Sequence, residues 1–341
     1  MADFLVSFRA VGPLFLLLAL GWFFRRRALL DGTTMAKLSR LTHYVFLPAL
    51  LLKNVLDCNL DAGLPWRIVL IAALSSTLSC LLSVAIACMT EKSPARRGAL
   101  AQGMFRNNYV SYGLAIASSI YAGQSCPAVS MLIACIVPLN NIYAVVVLTV
   151  FSGRKLSARR LLREIAANPF VIAAALGFAL SALRLSLPPV LSSTLGSLSA
   201  LGVPLSMLML GASFSFSDAK AYRRDIAVGA TVKLVLLPGC FLPVYILLGI
   251  RGESLLALLI ALATPPAASS HVMAGQMGAD RTLAGHLIVF GSLASVFTLF
   301  LWLWLLKGCP CAVGESYWQR APVPDRGDWH QHPPYSAPLS Q

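Results

Sequence analysis

Two stretches of this chain place ligand-binding residue types where little else is polar. The first is Phe105-Arg106-Asn107-Asn108-Tyr109-Val110-Ser111-Tyr112-Gly113-Leu114-Ala115-Ile116, which sets a cation and two carboxamides inside an apolar run. The second is Thr264-Pro265-Pro266-Ala267-Ala268-Ser269-Ser270-His271-Val272-Met273-Ala274-Gly275-Gln276. Two consecutive prolines remove two backbone donors and clash with the preceding turn, so the second run must break. Broken backbone at membrane depth survives only where protein or a watery cavity surrounds it. Interrupted apolar segments at matching places in two halves of a chain point to the binding site of a secondary transporter. The chemistry expected is recognition of an anion. Arg106 and Lys233 supply charge, and the half-helices after each break direct N–H groups and partial positive charge toward the middle of the membrane. The expected substrate-binding set is Arg106, Asn107, Asn108, Gly113, Asn140, Asn141, Pro265, Pro266, Ser269, Ser270 and His271, with no catalytic residue, metal or cofactor.

Each of these residues also has a structural reading. Arg106 either meets the substrate or caps the carbonyls that end the first half-helix. Lys233 either faces the site or snorkels to the membrane edge. Asn107 and Asn108 bond freed backbone groups, a ligand, or both. Asn140 and Asn141, inside a further apolar span, face the interior and either join helices or line the pathway. His271 is the histidine placed deeply enough to couple protons, and its other role is that of a satisfied structural side chain. The thirteen acidic residues all fall in termini, loops or span edges, which disfavours an antiporter built on a buried aspartate.

The elements that must position these groups are membrane spans. The 341 residues are 57% hydrophobic and 12% charged, where a soluble domain carries roughly a quarter charged residues. A net charge of +14 raises the question of nucleic acid, but Lys and Arg sit in short segments between apolar runs, as in cytoplasmic loops, and no nucleic-acid partner is expected. The first apolar run is followed by its basic cluster and reads as a retained span, not a cleaved signal. At about 20 residues per span, ten runs are expected: 4–24, 36–56, 68–89, 100–121, 129–151, 169–183, 191–214, 226–250, 255–277 and 284–306. The positive-inside rule then puts Arg25, Arg26 and Arg27, Lys92, Arg96 and Arg97, the basic run 154–163, and Arg223 and Arg224 in the cytoplasm. Both termini are expected on the outer side of the inner membrane.

An internal repeat is also expected. Pro13, Gly21 and Pro48 recur as Pro169, Gly177 and Pro204, each displaced by 156 residues. The same shift carries Asn108 to Thr264 and Tyr109 to Pro265, so the two breaks align. Five spans per repeat is odd, and the halves must insert with opposite orientation. The division expected is a first five-helix repeat over 1–152, a cytoplasmic linker over 153–167, a second, inverted repeat over 168–307 and a Pro-rich disordered tail over 308–341. The fold class is all-α and polytopic, with ten transmembrane helices and crossed, interrupted helices 4 and 9. The eight cysteines are mostly isolated in apolar surroundings and show no metal-ligand spacing, and Cys309-Pro310-Cys311, which could be a redox pair, reads as incidental because no second cluster accompanies it in the tail.

Taken together, Phe105–Ile116, the segment Val137-Pro138-Leu139-Asn140-Asn141-Ile142-Tyr143, Asn168-Pro169, Gly211-Ala212-Ser213 and Pro265–Asp280 resemble the auxin efflux carrier family of permeases in its bacterial branch, over about residues 1–307. The resemblance implies two inverted five-helix repeats, an anionic substrate held where helices 4 and 9 cross, and elevator-type alternating access. It implies substrates such as malate or malonate. The family usually has proline where this chain has Ala115, so here Asn108, Gly113 and packing must break the first crossing helix. The function expected is secondary transport of a small mono- or dicarboxylate. A sodium-coupled carrier of the bile-acid-transporter type is the alternative, and a homodimer and a coupling proton or sodium ion stay open. No phosphate-binding Gly-rich loop with Lys-Ser/Thr is present. An enzyme would need Ser269 or Ser270 activated by His271, yet neighbouring helical residues do not face each other.

Overall fold

The computed structural model describes residues 2–57, 66–110, 112–113, 116, 127–152, 163, 166–214 and 219–307. The tail with Cys309 and Cys311, Ala115, Cys58, Cys126 and nearly all of the expected linker 153–167 lie outside the described residues.

Among the described residues the chain is helical and contains no strand. In order the helices are α1 (Ala2–Arg26), α2 (Gly32–Leu41), α3 (Leu47–Leu56), α4 (Trp66–Thr90), α5 (Pro94–Phe105) and α6 (Pro127–Val150). They continue as α7 (Pro169–Ala182), α8 (Pro189–Ala200), α9 (Gly202–Ser213), α10 (Arg223–Thr231), α11 (Leu237–Leu247), α12 (Gly252–Ala263), α13 (Ser269–Gln276) and α14 (Arg281–Lys307). A turn of π-helix joins α2 to α3 (Thr42–Phe46) and another joins α10 to α11 (Val232–Leu236). Both sit just before a proline, Pro48 and Pro238, whose missing N–H and bulky ring disturb the preceding turn.

Local signals explain the starts. Asp31 caps α2 by accepting from the Thr34 amide at 2.8 Å and from the Thr33 hydroxyl at 2.6 Å. Asn168 caps α7 by accepting from the Phe170 amide at 3.0 Å, with Pro169 in the first helical position, where its lost N–H costs nothing.

Helix α4 is turned inside out relative to a helix of a soluble protein. On α4 the buried face reads Ala72, Ser75, Ser76, Ser79, Cys80, Ser83 and Ala87, whereas Leu70, Leu74, Leu78 and Leu81 are 54–63% exposed. Small and hydroxylated residues inside with leucine outside is the pattern of helices packing in lipid, where burial of leucine against leucine gains little over lipid and close backbone approach gains more. Five helical stretches among the described residues are long and apolar enough to cross a bilayer: Trp66–Thr90, Met131–Val150, Pro189–Ala212, Arg223–Leu247 and Arg281–Leu306. The shorter Pro169–Ala182 and Gly252–Ala263 are apolar too.

Two helix pairs pack in corresponding ways, α1 on α9 and α3 on α7. At Gly21 the approach is so close that a Cβ would stand 2.0 Å from the carbonyl oxygen of Leu208. At Gly177 a Cβ would stand 2.9 Å from the Cβ of Val55 and 3.3 Å from Leu52. Leu208 follows Leu52, as Gly177 follows Gly21, by 156 residues. At one end of the bundle Arg96 pairs with Asp225 and Glu91, and its guanidinium lies 4.8 Å from the centroid of the Tyr222 ring. Tyr222 in turn donates to Asp280 at 3.0 Å, which ties the starts of α5, α10 and α14 together.

Candidate functional site

Proline dictates the second break. Pro265 and Pro266 have no N–H to return to the carbonyls of Ala261 and Leu262, so α12 ends at Ala263 and helix resumes only at Ser269. The first break, without proline, covers Arg106 to Asn108 after α5 ends at Phe105. The two breaks satisfy each other. Asn108 donates its amide to the carbonyl of Pro265 at 2.9 Å, and the Asn107 side chain donates to the orphaned carbonyl of Ala261 at 2.7 Å. Tyr109 donates its hydroxyl to the carbonyl of Ala257 at 3.0 Å. Gly113 lies beyond the break, in the resumed helix, where a Cβ would come within 3.2 Å of the Tyr109 ring and 3.3 Å of Val129. Its smallness serves packing; the interruption is upstream of it.

Arg106 is 3% exposed and spans the crossing. Its guanidinium donates to Ser269 Oγ at 2.7 Å, Asn141 Oδ1 at 2.5 Å, Met273 Sδ at 2.9 Å and Ser270 Oγ at 3.3 Å. All four acceptors are neutral. Lys233, also buried, donates from the second π turn to the carbonyl of Phe105 at 3.4 Å, the last carbonyl of α5. The carbonyl end of the first half-helix is thus met by Lys233, not by Arg106, and Lys233 does not snorkel. Among the described residues no carboxylate stands within salt-bridge distance of either cation. The acids bond elsewhere, Asp57 to Lys53, Asp225 to Arg96 and Glu253 to the Ala128 amide.

Arg106, Asn107, Asn108, Asn140, Asn141 and Ser269 line a cavity of about 60 Å³ roofed by Leu47, Phe170 and Val203. Asn54 of α3 lines it as well. Three carboxamide nitrogens of this wall, Nδ2 of Asn54, Asn108 and Asn140, are buried without a protein partner. Asn140 uses its oxygen to accept from Ser76. On the other side of the crossing a smaller cavity of about 10 Å³ is bounded by Ser75, Ser76, Ser79, Asn107 and Tyr245.

The remaining expected residues sit outside the cavity wall. Pro265 and Pro266 shape the backbone. Ser270 reaches the site through Arg106. His271 Nε2 accepts from Arg281 Nε at 2.9 Å while its Nδ1 stands 3.1 Å from the Arg281 carbonyl, so the ring is held as the neutral tautomer protonated on Nδ1. Sequence reasoning passed over Asn54, although it carries the same signal as Asn140, an amide inside an apolar run. Ser76 and Met273 gave no comparable signal, because their types are common in lipid-embedded helices.

A model of the family described as membrane transport protein matches residues 6–303. The chain belongs to this family, the auxin efflux carriers. As an auxin efflux carrier family protein it is a multi-pass membrane transport protein, and the two breaks that meet after α5 and after α12 fall in the stretches by which its sequence resembled the family. A search of curated proteins returned no match.

Proposed function

We propose that the chain is a secondary carrier that moves a small organic anion, a mono- or dicarboxylate of the malonate or malate kind, across the inner membrane by alternating access. The observation that carries this reading is the wall of the 60 Å³ cavity: Arg106 without an acidic partner, beside three buried carboxamide nitrogens with hydrogens to give. Donors and positive charge in excess match a ligand with acceptors and negative charge. A cavity holds a water in about 10–15 Å³, so this one suits a compact ligand of a few heavy atoms. A steroid-sized bile acid fits the dimensions poorly.

The reading includes ten transmembrane helices in two inverted repeats, 1–152 and 168–307, joined by a cytoplasmic linker and with both termini outside. The paired contacts of Gly21 with Leu208 and Gly177 with Leu52 support the repeat, since an inverted duplication reproduces its own contacts at a constant sequence shift. His271 lends no support to proton coupling, because Arg281 occupies both ring nitrogens.

The test is a thermal-shift screen of the purified protein against mono- and dicarboxylates, amino acids and aromatic acids, with and without sodium. Ligand bound to the folded state raises the melting temperature in proportion to the logarithm of its concentration. A carboxylate should raise it selectively, and Asn108→Ala should abolish the shift. Stabilisation by sodium alone, with none by any anion, would overturn the proposal.

A further inference from the structure

Between α1, α9 and α14 lies a groove of about 350 Å³, almost wholly apolar. Phe15, Leu18, Ala19 and Trp22 form one wall, spaced as one face of α1, with Gly211 at the floor and Leu293 opposite. At 1.5 Å of rise per residue this wall runs for about 10 Å along the helix. Its rim faces outward, Trp22 being 44% and Leu293 46% exposed. In a membrane-spanning chain such a rim is wetted by hydrocarbon, and an open groove there takes an acyl chain.

One end of the groove is chemically marked. Trp22, the last groove residue of α1, carries the guanidinium of Arg26 at 4.6 Å from its ring centroid. Arg27 lies 5.3 Å from the Phe23 ring. Arg25 spends a donor on the carbonyl of Leu30. Among the described residues none of the three stands within salt-bridge distance of a carboxylate. A hydrocarbon slot ending in a tryptophan and unneutralised arginines one turn further on has the layout of a phospholipid, chain first and phosphate after, and guanidinium is suited to bidentate phosphate contact. We propose that this groove binds one anionic phospholipid, with an acyl chain along Phe15 to Trp22 and the phosphate held by Arg26 and Arg27. The site is separate from the cavity at the crossing and stands whether or not that cavity binds a carboxylate. Because α14 forms one wall and α1 and α9 the others, the lipid joins helices that are far apart in sequence.

The experiment is native mass spectrometry of the full chain in detergent, titrated with phosphatidylglycerol or with phosphatidylcholine of identical acyl chains. Juxtamembrane arginines each favour an anionic lipid by roughly fivefold, so phosphatidylglycerol should bind at least about fivefold more tightly than phosphatidylcholine. Arg26→Gln with Arg27→Gln should erase that preference and leave phosphatidylcholine binding unchanged. The control pair Arg223→Gln with Arg224→Gln should retain it. Ala19→Phe, or Leu293→Trp if the first variant melts early, should weaken binding of both lipids by filling the slot. Equal binding of the two lipids to the wild type, or a preference that survives loss of both arginines, would overturn the proposal. Undiminished binding to a filled groove would do so as well.

Discussion

The side chain of Asn107 donates to the carbonyl of Ala261 at 2.7 Å, the acceptor that Pro265 leaves without its helical partner. The first broken helix thereby repairs the second. Asn107→Ala removes the donor and leaves a buried carbonyl unpaired, a loss of about 1 kcal/mol for a hydrogen bond between helices in a membrane. The melting temperature should fall by a few degrees in detergent, and transport should fall with it. An unchanged melting temperature would show that water replaces the amide at no cost.

Arg106 is predicted to matter through charge and through its four neutral acceptors together. Arg106→Gln should weaken anion binding by about 10- to 100-fold, the worth of one hydrogen bond to a charged group. Arg106→Lys keeps the charge but cannot reach Ser269, Asn141, Ser270 and Met273 at once, so it should recover only part of the affinity. Titrating a binding carboxylate against melting temperature in the three proteins checks the order, and full affinity in Arg106→Gln would remove Arg106 from the site.

The contact of α1 with α9 has no room for a side chain at two positions. A Cβ on Gly21 would stand 2.0 Å from the Leu208 carbonyl oxygen, and one on Gly211 would stand 2.0 Å from that of Leu18. Gly21→Ala and Gly211→Ala must separate the helices, at a cost of about 1–3 kcal/mol each. Gly32→Ala, where a Cβ meets nothing within 4 Å, should leave stability almost unchanged. Thermal unfolding of the three variants side by side decides the matter.

How much of this was legible beforehand depends on what each residue type must do. Pro265 and Pro266 announce a break wherever they fall, because a missing N–H is a covalent fact. Asn107 and Asn108 stood out as amides in an apolar run, and both proved to bond across the crossing, the one through its side chain and the other through its backbone. The exchange of duties between Arg106 and Lys233 was not legible. Which of two buried cations meets the last carbonyl of α5 depends on how α10 and α11 lie against it, and no local rule encodes that. Gly113 misled in the same way: a glycine reads as a breaker, but here it gives room to Tyr109 and Val129.

A pH dependence is expected at the cap of α2. Hydrogen bonds from Thr33 and Thr34 pull the Asp31 carboxyl down to about 2 from its ordinary value of 3.8. A depressed carboxyl contributes stability above its unfolded value and loses it as pH falls, so the contribution should fade between about pH 4 and pH 2. Asp31→Ala should melt lower than wild type at pH 7, and the gap should close across that window. A gap that persists at pH 2 would place the stabilisation elsewhere.

The serine row and leucine row of α4 also forecast how this helix tolerates change. Leu70, Leu74, Leu78 and Leu81 specify a solvent and nothing about the fold, so any greasy residue should serve there. Ser75, Ser79 and Ser83 specify a size, and alanine, glycine or cysteine should be accepted where leucine is refused, whereas Ser76 also gives its hydroxyl to Asn140. The usual substitution map, with a fussy apolar interior and a lenient polar exterior, is exchanged here for one in which bulk is policed inside and polarity is policed outside. A water-soluble edition of α4 would therefore be sought by rewriting its outward apolar residues alone.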